Sequence, residues 1–483
     1  MVFSSTEFLV IFFPILLILY FFLRRSNGIL LIASILFYAS GEKCFTFLLL
    51  ISIGLNYTIG ILIDKSSNQK RSIWVLFIGI SCNLLILFFF KYLVFFIDNI
   101  NFFLVQTGKL EISKPDIHLP LGISFFTFQA ITYLVDLWRG QVRGQKNLIR
   151  LGLYISLFPQ LIAGPIVRYH EISKYLKDRY VTYKDFFSGT ERFVLGFIKK
   201  VLIADTLAVP ADAVFSQNYS DLSSPIAWFG AVCFMMQIYY DFSGYSDIAI
   251  GLGRMFGFYF PENFNFPYSA KSITEFWRRW HITLSRFFRD YVYLPLGGNR
   301  AGRKRMFINL WMVFILCGLW HGANWTYLLW GCYHGLFLVL ERTRIGRIIQ
   351  YQPKAIRYVY MFLVVLVGWV IFRADSLTHA IGYLNMMFSW HGWIEMPRSI
   401  YLFADTLQLS VLIVGLLFSS PLLKFFQTIT KMKGAESPID GDAGRTILYV
   451  GKIGYGMILS VLFVIAFGAM AAQTHRAFIY FRF

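Results

Sequence analysis

The chain has 483 residues, of which 57% are hydrophobic and 15% are charged, whereas a soluble globular domain carries about 25% charged residues. This composition excludes a soluble globular protein and is typical of a polytopic membrane protein. The net charge of +19 does not indicate nucleic-acid binding, because the Lys and Arg residues lie in short loops between apolar runs. We expect an all-α fold in a single membrane domain, residues 1–483.

A membrane-spanning helix needs roughly 20 mostly apolar residues. The sequence predicts ten to eleven such helices, and ten of them have clear apolar runs. In chain order these are residues 7–23, 28–41, 44–63, 73–97, 119–138, 191–209, 226–242, 357–372, 407–423 and 446–470. The first run lacks a basic n-region and a small-residue cleavage site, so we expect a retained helix rather than a signal peptide.

Loops that are rich in Lys and Arg usually face the cytoplasm. Basic residues follow the first, third and fifth predicted helices, whereas the long loops 98–117, 210–225 and 373–406 are net acidic. The basic loops are therefore assigned to the cytoplasm and the acidic loops to the outside. This threading predicts a multi-pass protein of the cell (inner or cytoplasmic) membrane with both termini extracytoplasmic.

Two apolar runs do not fit as full crossings, because basic residues flank both ends of each. Residues 151–167 are interrupted by Pro159 and by the pair Gly164 and Pro165. In residues 306–340 the stretch "HGAN" follows a helix-length run of about 22 Å, at roughly 1.5 Å per residue. Both runs are predicted as re-entrant segments, since broken backbone at membrane depth is tolerated only inside protein or along a cavity.

The segment 273–291 is predicted as an amphipathic interfacial helix on the cytoplasmic side. Its apolar residues recur at helical spacing, and its opposite face is basic. Anionic lipid headgroups would attract such a helix, and an anionic ligand such as the phosphates of an acyl carrier would also dock on it. The pattern does not separate these two interpretations. Under the second, the docking residues are Arg278, Arg279, Arg286 and Arg289.

A cluster of polar residues lies near the end of the predicted helix 226–242. It includes Asp241, Ser243 and Tyr245. Intramembrane carboxylates usually mark a functional path, so these residues are candidates for the lining of a tunnel. Gly and Ser at the same point are equally typical of close helix packing, and both interpretations stay open. His334, on the return limb of the second re-entrant segment, is predicted to be a packing residue.

Four stretches of the sequence resemble the membrane-bound O-acyltransferase family, and specifically its alginate O-acetyltransferase branch. They are "MVFSSTEFLVIFFPILLILYF", "QIYYDFSGYSDIAIGLGRMFGF", "EFWRRWHITLSRFFRDYVYLPLGGNR" and "LCGLWHGANWTYLLWGCYHGL". The resemblance implies that His321 is the catalytic histidine and that His281 is a second motif histidine. It also implies an enzyme that takes an acyl group, expected to be acetyl, from a cytoplasmic thioester and exports it to a cell-surface polysaccharide. The expected donor is acetyl-CoA or an acyl-carrier thioester, with no bound cofactor.

An imidazole at position 321 suits this chemistry. Acyl transfer to a hydroxyl needs a base that removes its proton, and neutral imidazole, with an unperturbed pKa of about 6.5, is well matched. Gly322 would leave room for the acyl carbonyl, and Asn324 is a candidate donor to the developing oxyanion. The five cysteines include no C-x-x-C pair and no histidine at ligand spacing, so we expect no metal site.

The C-terminal motif "FIYFRF", residues 478–483, carries one phenol, Tyr480. Aromatic residues anchor chains at the membrane surface, but the motif also resembles one of the alginate-type branch in which the tyrosine carries the acyl group. Under that interpretation Tyr480 is a catalytic residue. No G-D-S-L hydrolase motif occurs in the sequence, so an extracytoplasmic SGNH-type transferase is expected as the partner.

Other functions stay open at this point. Within the enzyme class they are D-alanyl transfer to teichoic acid and O-acetylation of peptidoglycan. A secondary transporter is the alternative from a different class, because it shares the broken helices and buried polar groups. Transporters commonly show two related halves, and this chain contains no internal repeat.

Overall fold

The computed structural model describes residues 1–23, 26–300, 302–393, 400–421 and 442–472, and the regular structure in these ranges is helical with no β-strand. The all-α prediction is confirmed for this part of the chain. Four of its helical segments are long and apolar enough to cross a membrane, namely Asn27–Asp64, Gln69–Lys91, Lys354–Arg373 and Ile453–Ala472. The count of ten to eleven transmembrane helices stays a prediction.

The α-helices are numbered here in chain order. They are α1 Phe13–Phe22, α2 Asn27–Glu42, α3 Thr46–Asp64, α4 Gln69–Lys91, α5 Leu93–Gln106, α6 Ile123–Trp138, α7 Leu148–Ser156, α8 Phe158–Leu161, α9 Tyr169–Lys177, α10 Tyr183–Ile198, α11 Asp205–Phe215, α12 Ser224–Met255, α13 Ile273–Arg279, α14 Ile282–Phe288, α15 Arg303–His321, α16 Trp325–Leu340, α17 Arg344–Tyr351, α18 Lys354–Arg373, α19 Leu377–Met387, α20 Thr406–Phe418 and α21 Asp442–Ala472. Three π-helical segments are Glu7–Phe12, Lys199–Ala204 and Arg289–Tyr293.

Two long antiparallel helical segments form the centre of the fold. One runs from α10 through the π-helical segment Lys199–Ala204 into α11, and the other is α12, with 32 residues. They pack closely at Gly196 and Gly244, where a Cβ added to Gly196 would lie 2.6 Å from the carbonyl oxygen of Gly244. Small residues allow helices in membranes to pack at this distance. Gly244 therefore has the packing role that the sequence left open.

Ion pairs follow the same interface. The Lys200 ammonium lies 2.6 Å from the carboxylate of Asp241, and both side chains are buried. Further along, Arg192 and Lys199 both bind the carboxylate of Asp247, at 2.7 and 2.6 Å. Buried charges are tolerated when they are paired, so these contacts let charged side chains sit between two apolar helices.

The predicted re-entrant segment 151–167 is buried along its whole length and is broken in the structure. α7 and α8 are separated at Leu157, and Pro159 lies in the first turn of α8. The Tyr154 hydroxyl donates to the carbonyl oxygen of Val167 at 2.9 Å, which ties the end of the segment to its beginning. Whether the segment re-enters the membrane stays a prediction.

Candidate active site

His321 lies at the apex of a helical hairpin formed by α15 and α16. It is the last of the 19 residues of α15, and α16 returns from Trp325. A helix of this length spans about 28 Å, close to a hydrocarbon thickness of about 30 Å. The limbs pack closely at Gly318 and Gly331, where an added Cβ would collide with a backbone carbonyl of the other limb. The hairpin thus places His321 at the end of α15 opposite the basic residues with which this helix begins.

Aromatic rings enclose the His321 imidazole, which is 5% exposed. Its ring centroid lies 4.8 Å from that of Trp320, 5.0 Å from that of Trp330 and 5.2 Å from that of Phe372. All three rings are tilted steeply against the imidazole plane. These walls keep bulk water from the ring and restrict its rotation.

His281 lies at a break in the predicted amphipathic helix. The sequence predicts one helix over 273–291, whereas the structure has α13 and α14, separated at Trp280 and His281. The φ of His281 is +42°, a left-handed value that is uncommon for residues other than glycine and costs of order 1–3 kcal/mol. Asn263 compensates for the break, because its side-chain oxygen accepts hydrogen bonds from the N–H and hydroxyl of Thr283 at 3.3 and 2.9 Å.

The same Asn263 oxygen determines the state of the His281 ring, which is 1% exposed. It lies 3.0 Å from Nδ1 of His281, while the Asn263 amide nitrogen donates to the hydroxyl of Ser246 at 3.0 Å. A carbonyl oxygen only accepts, so Nδ1 carries the proton and Nε2 the lone pair. Nε2 makes no hydrogen bond with any described residue. It can accept a proton or a hydrogen bond from a ligand.

Two cavities follow one another along α15. The larger has a volume of about 510 Å³ and is lined by His281, by arginines of α13 and α14 and by residues 310–317 of α15. The smaller has a volume of about 90 Å³ and is lined by His321, Lys91 and residues 119–125. Trp320 contacts both imidazoles, with its ring centroid 6.0 Å from that of His281 and 4.8 Å from that of His321. Each histidine therefore has a cavity of its own.

Comparison with known proteins identifies the family. The model of MBOAT, the membrane-bound O-acyltransferase family, matches residues 73–380. The chain belongs to this family. It is a membrane protein and an O-acyltransferase, as the sequence motifs predict.

Three relatives of this O-acyltransferase bear on its substrate. The probable alginate O-acetylase AlgI of Pseudomonas putida is 39% identical over 490 residues, covering 100% of both chains. The peptidoglycan O-acetyltransferase of Helicobacter pylori is 36% identical over 428 residues, which cover 82% of this chain and 80% of the relative. The teichoic acid D-alanyltransferase of Bacillus subtilis is 30% identical over 249 residues, which cover 47% of this chain and 62% of the relative. The two extensive matches are to proteins named for O-acetyl transfer.

Three of the four predicted donor-docking arginines of the O-acyltransferase line its larger cavity. These are Arg278, Arg286 and Arg289. The fourth, Arg279, is bonded instead to the carboxylate of Glu275 at 2.6 Å. Most of the predicted docking face therefore lies in the lining of the larger cavity.

Arg342 also lines the larger cavity, although in the sequence it is only one of the basic residues that flank the run 306–340. It follows α16, and its Nη1 has no hydrogen-bond partner among the described residues. Burial lowers the pKa of the Arg342 guanidinium below its ordinary value, because the charged form loses hydration. The Arg342 side chain is partly buried, and a bound anion would offset the loss of hydration of its charge. This side of the cavity can therefore hold a negatively charged group.

The predicted tunnel residues of α12 are not part of the lining of the two cavities. Within the described part of the chain, neither cavity lining includes Asp241, Ser243 or Tyr245. Asp241 is paired with Lys200, and the Tyr245 ring packs on Phe3 at a centroid distance of 4.9 Å. These contacts indicate helix packing for this part of α12.

Asn324 and His334 have local roles in the hairpin. The Asn324 side-chain oxygen accepts from the N–H of Thr326 at 3.1 Å and caps α16, and its amide nitrogen donates to the carbonyl oxygen of Asp375 at 3.3 Å. His334 is buried with its ring centroid 5.0 Å from that of Trp277. Tyr480 lies outside the described residues, so its role stays a prediction.

Two residues that contact the histidines, Asn263 and Lys91, were not predicted from the sequence. Asn263 is 18 residues from His281 along the chain, and no motif marks it. Lys91 lines the cavity of His321 and donates to backbone carbonyls beside it. A signal for Lys91 was present, since it is a single cation inside the apolar run 73–97, and ionisable residues in such runs are usually functional.

Proposed function

We propose that this O-acyltransferase takes an acetyl group from a cytoplasmic thioester and exports it across the cell membrane for O-acetylation of an extracellular or cell-envelope polysaccharide. The observation that carries the proposal is the pair of cavities along α15, each with one histidine in its wall. A donor in the larger cavity and an acceptor in the smaller one would meet at Trp320. The extensive matches to proteins named for O-acetyl transfer support acetyl as the acyl group.

The larger cavity is assigned to the donor, acetyl-CoA or an acyl-carrier thioester. Both donors carry phosphate, and arginine is well suited to bind phosphate because its planar guanidinium donates two parallel hydrogen bonds. Arg278, Arg286 and Arg342 line the cavity. The pantetheine arm would extend past them toward His281, whose Nε2 can accept a hydrogen bond from an amide or thiol of the donor.

The reaction proposed at His321 conserves atoms and protons. The acceptor hydroxyl oxygen forms a bond to the acyl carbon while the imidazole takes the hydroxyl proton. The carbon–sulfur bond then breaks, and the leaving thiolate takes up the proton that the imidazolium releases. The products are an oxygen ester and a free thiol, and the enzyme returns to its starting state.

The first test replaces the proposed base. We expect His321→Ala to lower the initial rate of labelled acetate incorporation into the secreted polymer by at least about 100-fold, the low end of general-base contributions. The matched control is His334→Ala, which removes an equally buried imidazole that lines neither cavity in the described structure. Both variants should insert into the membrane. Near wild-type incorporation in His321→Ala would overturn the assignment.

The acceptor at the membrane is proposed to be the phenol of Tyr480, with a separate extracytoplasmic SGNH-type transferase moving the acetyl group to the polysaccharide. Tyr480→Phe keeps the aromatic ring and removes the only atom of that side chain that can be acylated. We expect it to abolish polymer acetylation while leaving membrane insertion intact. Full acetylation in this variant would leave the motif as an anchor.

The polymer is proposed to be alginate, because a relative that matches over the whole chain is named for alginate O-acetylation. Mass analysis of the envelope polymers in a deletion strain decides among the acceptors, because loss of D-alanyl esters or of peptidoglycan acetyl groups would each identify one of the other two. Accumulation of an unmodified substrate in vesicles would instead indicate a transporter.

A further inference from the structure

The end of α4 binds the end of α15 through side chains. The Lys91 ammonium donates to the carbonyl oxygens of Trp320 and His321 at 2.5 and 3.2 Å, and the Tyr92 hydroxyl donates to that of Leu319 at 2.8 Å. The last carbonyls of a helix lack partners within the helix. Lys91 and Tyr92 are more than 220 positions away from these residues in the sequence. Together they supply hydrogen-bond donors to the last three carbonyl oxygens of α15, up to that of His321.

The position of Lys91 is unusual for a lysine. It lies at the end of an apolar helix and is partly buried, and it forms no ion pair with a carboxylate of the described residues. The negative end of the α15 dipole stabilises its charge. Its Nζ also lies 6.0 Å from the centroid of the Trp320 ring.

Lys91 shares the smaller cavity with His321. An ammonium has three N–H donors, and the two carbonyls account for two of them. The third is available to a group in the cavity that Lys91 lines. Of the cationic side chains in the described structure, Lys91 is the one in the lining of this cavity.

We propose that Lys91 is a catalytic residue that stabilises the oxyanion of the acyl-transfer reaction. When the hydroxyl oxygen attacks the thioester carbon, the carbonyl oxygen becomes negatively charged, and the ammonium donates its remaining N–H to it. The C=O bond re-forms when the carbon–sulfur bond breaks, and Lys91 stays protonated throughout. The inference rests on the proposed role of His321 as the base.

Lys91 fits this role better than Asn324, the donor that the sequence suggested. Both polar atoms of Asn324 make contacts within the protein, to Thr326 and Asp375. The Lys91 ammonium is positively charged, is fixed by two hydrogen bonds to the helix that carries His321, and lines the same cavity. A fixed donor in a site without bulk water stabilises an oxyanion far more than a mobile one in water.

The experiment distinguishes two roles of Lys91, its positive charge in the smaller cavity and its hydrogen bonds to the end of α15. Lys91→Met removes the donors and the charge, Lys91→Gln keeps N–H donors for the carbonyls without the charge, and Tyr92→Phe removes only the neighbouring hydrogen bond to Leu319. The readout is the initial rate of labelled acetate incorporation into the secreted polymer, at equal amounts of membrane-inserted protein. This readout does not depend on which thioester is the donor.

We expect Lys91→Met to lower the rate by about 100-fold or more, the size of the loss when an oxyanion donor is removed. Lys91→Gln should lose at least about 10-fold, and Tyr92→Phe should stay within about threefold of wild type, since it lacks one neutral hydrogen bond. The melting temperature in detergent identifies any variant that fails to fold.

Two outcomes would overturn the proposal. Near wild-type rates in Lys91→Gln would show that capping of the hairpin is the whole function, and losses as large in Tyr92→Phe as in Lys91→Met would show the same. His321→Ala is measured beside them. An active His321→Ala contradicts the proposed function itself, whereas an inactive His321→Ala with an active Lys91→Gln contradicts only the role of Lys91.

Discussion

Two regions of this O-acyltransferase differ in whether their cationic side chains form ion pairs with carboxylates of the protein. Where α12 packs on the segment that runs from α10 into α11, the cations are paired with carboxylates, and Lys200 lies between Asp241 at 2.6 Å and Asp205 at 2.8 Å. In the larger cavity, Arg278 and Arg342 line the wall and form no ion pair with any described residue. In the first region the charges are neutralised by contacts within the protein, whereas under the proposed function a bound anion would neutralise Arg278 and Arg342.

The difference separates charges that maintain the fold from charges that bind substrate. A paired buried charge is neutralised at all times, and removal of one partner leaves the other uncompensated. An unpaired arginine at a cavity wall contributes little to folding, and it gains its partner when an anion binds. Stability and donor binding should therefore respond to different substitutions.

The largest expected effect is on stability in the paired region. Lys200→Met removes a buried cation that lies between Asp241 and Asp205. Breaking a buried pair from one side costs about 3–5 kcal/mol, so we expect a clear drop in the melting temperature of the protein in detergent. The affinity for donor should not change in the fraction that stays folded.

Lys199→Met is the matched control, because Asp247 keeps its contact with Arg192 at 2.7 Å. Lys199 is also more exposed than Lys200, and we expect a loss of no more than about 1 kcal/mol. Equal losses in both variants would show that burial and shared partners do not decide the contribution of a pair.

The next effect is on donor binding. Arg278→Glu combined with Arg286→Glu replaces two cavity-lining cations by anions. We expect the affinity for acetyl-CoA, measured by calorimetry in detergent at low salt, to fall by about 100-fold or more, since like charges then face the phosphates. Unchanged membrane insertion would accompany this loss. If binding is unchanged and insertion is reduced, the arginines serve as lipid anchors.

Arg342→Gln isolates one unpaired cation. Its Nη1 makes no hydrogen bond within the described structure, so the substitution breaks no pair. A hydrogen bond to a charged group contributes about 1.5–3 kcal/mol, and we expect acetyl-CoA affinity to fall by about 10-fold to 100-fold. The melting temperature should stay the same or rise. A lower melting temperature with unchanged affinity would assign Arg342 to the fold.

Much of the site follows from the sequence. Basic residues on both sides of the run 306–340 predicted a re-entrant segment that is broken at "HGAN", and the structure has α15 and α16 joined at that point. Whether the segment re-enters the membrane stays a prediction. The basic face of 273–291 predicted four docking arginines, three of which line the larger cavity. Donor docking by these arginines stays a prediction, and the placement of the residues could be expected because local charge and hydropathy determine it.

The features of the site that the sequence does not predict depend on contacts between segments that are distant along the chain. Helical periodicity continues through Trp280 and His281, so no local pattern predicts the break that Asn263 stabilises. Arg342 reads as an ordinary cytoplasmic cation until α16 places it opposite the arginines of α13 and α14. The function of a charge depends on its neighbours, and those become known only with the fold.

The smallest expected effect comes from Arg289, an arginine of the larger cavity that is paired with a carboxylate, unlike Arg342. Arg289 lines this cavity, but it is bonded to Asp290 at 2.7 Å and its side chain is 60% exposed. In Arg289→Gln, Asp290 keeps its bond to Arg168 at 2.5 Å, and an exposed pair contributes at most about 1 kcal/mol. We expect acetyl-CoA affinity to change by no more than about threefold, well below the loss in Arg342→Gln. Calorimetry of both variants at the same salt concentration measures the difference. An equal loss in Arg289→Gln would show that proximity to the cavity, rather than the lack of a protein partner, determines which arginines bind the donor.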